Sequence, residues 1–164
     1  MRIFKRSVLL FIFLFLIWFL LTGFKTQELI AGAVVALLIT VIYNSQTLAF
    51  EEFKLTPKSF VYSIIYIFIF IIELLKSNFD VASRVASPTL PINPGIVKVK
   101  TKLKSKMGRL ILANSITLTP GTLTVETKDE FFYIHWINIS TENIEDTSKE
   151  IISRFERYLE VIFG

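Results

Sequence analysis

The sequence predicts a membrane-anchored α+β protein. Its N-terminal half is α-helical, with two to three short transmembrane helices, and a small α+β cytoplasmic domain of order β-α-β-β-α follows. Three observations predict this. Most residues between Val8 and Leu75 fall into three apolar runs, and runs of that kind need a non-aqueous surrounding. Of the chain's 32 charged residues, 21 lie after Lys76. From Ile96 onward, alternation with a period of two replaces the apolar runs, the signature of half-buried strands. Hydrophobic residues make up 52% of the 164-residue chain and its mean hydropathy is +0.58, more than a soluble domain of that size needs. There is no cysteine, which excludes a disulfide framework and a thiolate metal site.

The first run, residues 8–24, is uncharged and rich in Phe, Leu and Ile. Arg2, Lys5 and Arg6 precede it, as in a secretory signal peptide. It ends in Leu21-Thr22-Gly23-Phe24-Lys25 without a small-x-small cleavage site, so it reads as a retained anchor. Lys25-Thr26-Gln27-Glu28 is a tight polar connection to the second run, residues 29–43. There Gly32 and Ala36 form a small-xxx-small pair suited to close helix packing. A polar stretch, residues 44–58, leads to the third run, residues 60–75. Backbone polar groups in lipid must be satisfied within the segment, so all three runs are read as helices. A full crossing needs about 20 apolar residues. The first run qualifies, and the other two fall short unless their flanks join in. The first two could instead form a hairpin that crosses incompletely.

Charge sets the orientation. Positive residues stay cytoplasmic, yet both the N-terminus and the stretch after the third run are basic. Three full crossings would place those ends on opposite sides. Lys76, Arg84 and the lysines beyond outnumber Arg2, Lys5 and Arg6. The C-terminal domain is therefore assigned to the cytoplasm, and the side of the N-terminus stays open.

The expected division is a transmembrane region over residues 1–84, a Pro-rich hinge over 85–95 and the small domain over 96–164. The third helix continues through residues 77–84 as an amphipathic extension. Pro88, Pro91 and Pro94 then forbid regular structure. Residues 96–103 form a strand with Val97, Val99, Thr101 and Leu103 on one face and Lys98, Lys100, Lys102 and Lys104 continuing the other. Ser105 caps a helix carrying Met107, Leu110, Ile111, Asn114 and Ile116 at helical spacing. Thr119-Pro120-Gly121 turns the chain into a strand over 122–127, with Leu123 and Val125 inward. Lys128-Asp129-Glu130 forms a hairpin turn, and residues 131–139 form an aromatic, β-branched strand. Ser140 or Thr141 caps a last helix, its apolar side built from Ile144, Ile151, Ile152, Phe155, Tyr158, Leu159 and Ile162. A domain of this size has a thin core, so a partner or the membrane surface is expected to cover part of it.

The candidate docking residues are Lys98, Lys100, Lys102 and Lys104. One reading is a solvated face that protects a sheet edge from pairing. The other is contact with anionic lipid or an acidic partner protein, each lysine contributing about 1 kcal/mol near such a surface. Nucleic-acid binding would require aromatic residues interleaved on the same strand face, and that face has none. His135 is read as a packed strand residue rather than a proton relay. Glu73 is read as the partner of Lys76 three residues on, forming an interfacial ion pair. The first two runs lack the polar groups with which an ion path is lined. No phosphate loop, nucleophile elbow or metal-ligand cluster is present in the sequence. No enzyme activity and no cofactor is therefore expected.

Several stretches carry a family resemblance. They are Pro91-Ile92-Asn93-Pro94-Gly95-Ile96-Val97, the run Leu112-Ala113-Asn114-Ser115-Ile116-Thr117-Leu118-Thr119-Pro120-Gly121-Thr122-Leu123-Thr124-Val125, and Tyr133-Ile134-His135-Trp136-Ile137. Phe79-Asp80-Val81, Arg84-Val85 and Ser87-Pro88 fit the same pattern. Together they resemble the E-type component of Mrp (Mnh) multisubunit Na+/H+ antiporters. The resemblance implies an accessory subunit of a bacterial plasma-membrane complex that exports Na+ in exchange for protons, with other antiporter subunits as partners. It also implies that ion-translocating residues lie mainly in the large subunits, leaving this one assembly, stability or coupling. The rival expectation is an independent membrane-anchored binding module that docks anionic lipid or a soluble partner through its basic strand.

Overall fold

The computed structural model describes residues 2–43, 52–54, 56–141 and 143–164, with Arg2, Ile3, Lys5 and Arg6 as backbone. Most of the expected polar stretch 44–58 lies outside the described residues. Contacts divide the chain into two compact units, Met1–Phe53 and Lys54–Gly164.

The first unit is a helical hairpin of α1 (Arg2–Thr22) and α2 (Thr26–Tyr43). Gly23 adopts φ +79° and donates its N–H to the Phe19 carbonyl at 2.9 Å, the left-handed helix stop that glycine makes without steric cost. The small-residue stripe of α2 is its buried face, comprising Gly32, Ala36 and Thr40. The Trp18 ring lies on Gly32 so closely that a Cβ there would sit 2.3 Å from its Cδ1. Trp18 also donates its indole N–H to the Glu28 carbonyl at 2.8 Å, so one side chain packs and anchors the hairpin. Most other apolar side chains of the two helices are exposed. The helix α2 is long and apolar enough to cross a membrane, while the apolar part of α1, Ser7–Thr22, is shorter.

The second unit opens with α3 (Pro57–Ala86), a single 30-residue helix that joins the third apolar run to its expected extension. Thr56 caps it by accepting the Ser59 N–H at 3.0 Å, and Pro57 occupies the first turn, where its missing N–H costs nothing. β1 (Gly95–Lys100), α4 (Lys106–Leu118), β2 (Thr122–Lys128), β3 (Phe131–Trp136), α5 (Ile144–Ile151) and α6 (Ser153–Phe163) follow. The three strands form an antiparallel sheet in the order β1-β3-β2. Val97, Val99, Phe132 and Ile134 fill its inner face, and Leu112, Ile116, Phe155, Leu159 and Ile162 of α4 and α6 complete the core.

The order of the strands and the first helix agrees with expectation, but several details differ, among them β3, which ends at Trp136 rather than at residue 139. The final helix is two helices that break at Ile152, and Asn143 caps the first by accepting the Glu145 N–H at 2.8 Å. Neither Ser140 nor Thr141 is the cap. β1 stops at Lys100; the Thr101 N–H still donates to the Glu130 carbonyl at 2.9 Å, and just past it the buried Glu156 carboxylate takes the Thr101 hydroxyl at 2.6 Å and the Lys102 N–H at 2.7 Å. Leu123 and Val125 of β2 point outward, exposed at 49% and 55%. Thr122 and Thr124 face α4 instead, where their hydroxyls bond the Ile116 and Ala113 carbonyls at 2.7 and 3.1 Å. A register shift between Thr124 and Glu126 adds to the difference. The buried face of α4 is Gly108, Leu112, Ser115 and Ile116, while Leu110 and Asn114 are exposed. Gly108 allows this rotation by lying against Phe163, whose Cβ is 3.4 Å from a Cβ built at that glycine.

The expected hinge over 85–95 is tied to the sheet. Asn93 donates its N–H to the Ile137 carbonyl at 3.1 Å and accepts from the Ile139 N–H at 2.8 Å. Arg84 donates to the Pro91 carbonyl at 2.7 Å. Prolines remove donors on both sides of Asn93, but the asparagine keeps its own and uses it.

Candidate functional site

Helix α3 carries two faces of opposite character. Ser59, Tyr62, Tyr66, Phe70, Glu73 and Ser77 recur at three- and four-residue spacing and so line one face. The Ser59 hydroxyl donates to the Val161 carbonyl at 3.2 Å. Tyr62 meets Tyr158, and Tyr66 and Phe70 meet Phe155, with ring centroids 6.2, 6.3 and 6.4 Å apart, distances at which aromatic pairs attract. The Tyr66 and Ser115 hydroxyls are hydrogen-bonded to each other. Glu73 binds Lys76 at 3.1 Å, as the sequence suggests, and also Arg154 of α6. Further along, Val81 lies beside Gly121. The domain therefore follows α3 from Ser59 to Val81, about 33 Å of helix axis at about 1.5 Å per residue.

The opposite face of α3 is apolar and open. Phe60, Ile64, Phe68, Ile71, Leu75 and Phe79 are all exposed, the three phenylalanines by more than 60%. Lys58 and Lys76, about five helical turns apart, lie on the same boundary between this face and the domain. On α6, the helix packed along α3, the outward residues Arg154, Arg157 and Glu160 are exposed and charged.

A cleft of about 340 Å³ opens between α3, the α4–β2 turn, the end of β3 and the last two helices. Its charged residues are largely matched internally. Glu73 holds Lys76 and Arg154, Asp80 holds Arg84 at 2.8 Å, and Glu150 accepts the Ser140 hydroxyl at 2.6 Å. Carboxylates engaged in this way are poor candidates to bind and release a cation. Among the described residues, no group of three or more His, Cys, Asp or Glu side chains is gathered as for a metal ion.

The four lysines separate. Lys98 and Lys100 project from β1 onto the outer face of the sheet, on the side of Phe131, Tyr133 and His135 of β3. The Lys98 ammonium sits 3.8 Å from the Phe131 ring centroid, a cation–π distance. Lys100 pairs with Glu130 at 3.0 Å. Lys102 and Lys104 lie beyond the strand, exposed. Aromatic residues thus do share the lysine face, supplied by the neighbouring strand, which the strand's own sequence does not reveal. His135 is exposed on this same face rather than packed.

The Asn114–Thr122 stretch has a structural account. Thr119 donates to the Ser115 carbonyl at 2.7 Å and Thr122 to the Ile116 carbonyl at 2.7 Å. Gly121 takes φ +90° and accepts the Ile137 N–H at 2.8 Å. Hydroxyls satisfy the last carbonyls of α4 while glycine turns the chain into β2. Glu156, which bonds the chain just past β1, escaped the sequence reading. The available signal was a carboxylate on the apolar side of α6, between Ile152 and Leu159.

An apolar helical hairpin followed by a small α+β unit, one helix of which keeps an open apolar face, defines a membrane-anchored protein. Comparison with known proteins gives its particular kind. Residues 11–162 match the family MNHE, Na+/H+ ion antiporter subunit, and the chain belongs to that family. It is 34% identical over 155 residues to the E1 component of the Na+/H+ antiporter of Staphylococcus saprophyticus, an alignment covering 92% of each chain. Over 89 residues it is 43% identical to the E component of the Na+/H+ antiporter of Alkalihalophilus pseudofirmus, covering 54% of this chain and 56% of that one. Among solved structures, it is similar to a chain of the membrane-bound sulfane sulfur reductase, an archaeal respiratory membrane complex. That match has 40% identity, a TM-score of 0.86, and covers 97% of this chain and 99% of the other.

Proposed function

We propose that this protein is an accessory subunit of a multisubunit cation/proton antiporter, acting in assembly, stability or coupling while other subunits carry the ion path. The observation that carries this reading, beside family membership, is the absence of charge from residues 7–24 and 29–43. A helical pair that conducts ions needs ionisable or polar groups facing a path, and the buried face of α2 is instead a packing seam for Trp18. The C-terminal unit is cytoplasmic, and its outer sheet face, with Lys98 and Lys100, docks an acidic surface of a neighbouring subunit.

Purification of the tagged protein in mild detergent tests this. Large multispanning membrane subunits are expected to co-purify. Migration of the protein alone would sink the proposal in favour of an independent binding module.

A second reading has its own support in the 40% identity to a chain of a respiratory membrane complex over nearly the whole length. In that reading the protein serves a complex that also carries redox components. Redox-active subunits in the purified assembly would favour it, and their absence favours the antiporter.

A further inference from the structure

We infer that α3 does not cross the bilayer but lies in the plane of the membrane interface, its apolar face in the acyl-chain boundary and the sheet domain on its aqueous side. Length and composition alone qualify Pro57–Ala86 as a crossing helix; its packing argues otherwise. The domain follows α3 from Ser59 to Val81, so any window long enough to cross has the domain beside it. A crossing would carry exposed Arg154, Arg157 and Glu160 of α6 to hydrocarbon depth, where charged side chains are strongly disfavoured. An interfacial helix has none of these conflicts. Such helices bury one apolar face at the headgroup boundary and keep a polar face in water. Here the polar side is already occupied by the domain.

Two independent features point to lipid as what covers the open face. Lys58 and Lys76 mark one edge of it; Lys76 pairs with Glu73 but stays 67% exposed, and lysines at such an edge lay their stems along apolar surface with the charged head toward the headgroups. The charge distribution of the chain supplies the second. Basic residues at both Arg2–Arg6 and Lys98–Lys104 favour the cytoplasmic side, which three crossings cannot satisfy. With α3 in plane, the hairpin alone enters the membrane and both basic ends share one side. The placement concerns attachment and holds for either complex considered above.

The test uses single cysteines in the otherwise cysteine-free chain, within the native complex in oriented membrane vesicles. Lys5→Cys, Lys58→Cys and Asn78→Cys are expected to react with an impermeant maleimide from one side only, the same side for all three. Labelling of Lys58→Cys and Asn78→Cys from opposite sides would overturn the inference. Spin labels at Phe60→Cys, Phe68→Cys and Leu75→Cys give the second readout. Oxygen collision should report one shallow depth for all three. A depth that peaks at Phe68 means a crossing helix, and exclusion of all three from lipid means that protein covers the face. Either result rejects the proposal.

Discussion

Glu156 is a buried acid whose acceptor oxygen bonds the chain just past β1, at the Thr101 hydroxyl and Lys102 N–H. Removing the carboxylate strands buried donors, which costs about 1–3 kcal/mol. Glu156→Ala is therefore expected to lower the thermal midpoint of the purified protein, while Glu156→Gln, which keeps a carbonyl acceptor, loses less. Equal losses for the two variants would mean that packing, not hydrogen bonding, holds that corner. Gly121 is similarly constrained. Its φ of +90° and the Ile137 side chain 2.9 Å from a built Cβ leave no room for a side chain, so Gly121→Val should cost on the order of 1–3 kcal/mol in backbone strain alone. A melting curve that matches the parent would refute this. At this scale the sequence was partly readable. The Thr-Pro-Gly turn announces itself, because few residues tolerate such a conformation. The place of Glu156 on the apolar side of its helix marks it as unusual, but its partners lie more than 50 residues away along the chain, and no local pattern names them.

At the scale of elements, the helical hairpin was legible because small residues spaced by four mark a close contact, but its partner Trp18 was not. Gly32→Leu would drive a side chain into the indole ring, and neither helix can yield without parting. In a Trp136→Phe background, Trp18 emission should then shift and its hydrogen bond to Glu28 should be lost. Unchanged emission would show that the seam tolerates bulk. The strand lysines were legible as an alternating face, yet which groups accompany them was not. Pairing of β1 with β3 brings Phe131 and Tyr133 alongside them, and only the register settles that. The inward face of β2 was misread because threonine hydroxyls, not apolar side chains, meet the helix carbonyls there. Hydrophobic alternation alone ranks Leu123 and Val125 above their threonine neighbours.

For the whole molecule, the layering of the second unit and the lysine face bear on one another. Helix α3 packs on α6, and the helices α4 and α6 cover the inner face of the sheet, so the lysines on the outer face point away from α3. With α3 seated on lipid, those lysines face the aqueous phase and a protein partner rather than headgroups. Replacing Lys98, Lys100 and Lys102 together by Gln should then leave the fold intact and lower its melting midpoint only slightly, since the Lys100–Glu130 pair is exposed and of small worth and the Lys98 contact with the Phe131 ring is worth about 0.5–1 kcal/mol. Recovery of the large subunits with the tagged protein should fall, and the parent's recovery should weaken with added salt as screening shortens the reach of the charges. The variant should lose that salt dependence. Binding to anionic vesicles, driven by the apolar hairpin and the open face of α3, should remain unchanged. If vesicle binding falls instead while recovery of the large subunits holds, the lysines serve lipid. If neither changes, they form a solvated face that only guards the sheet edge.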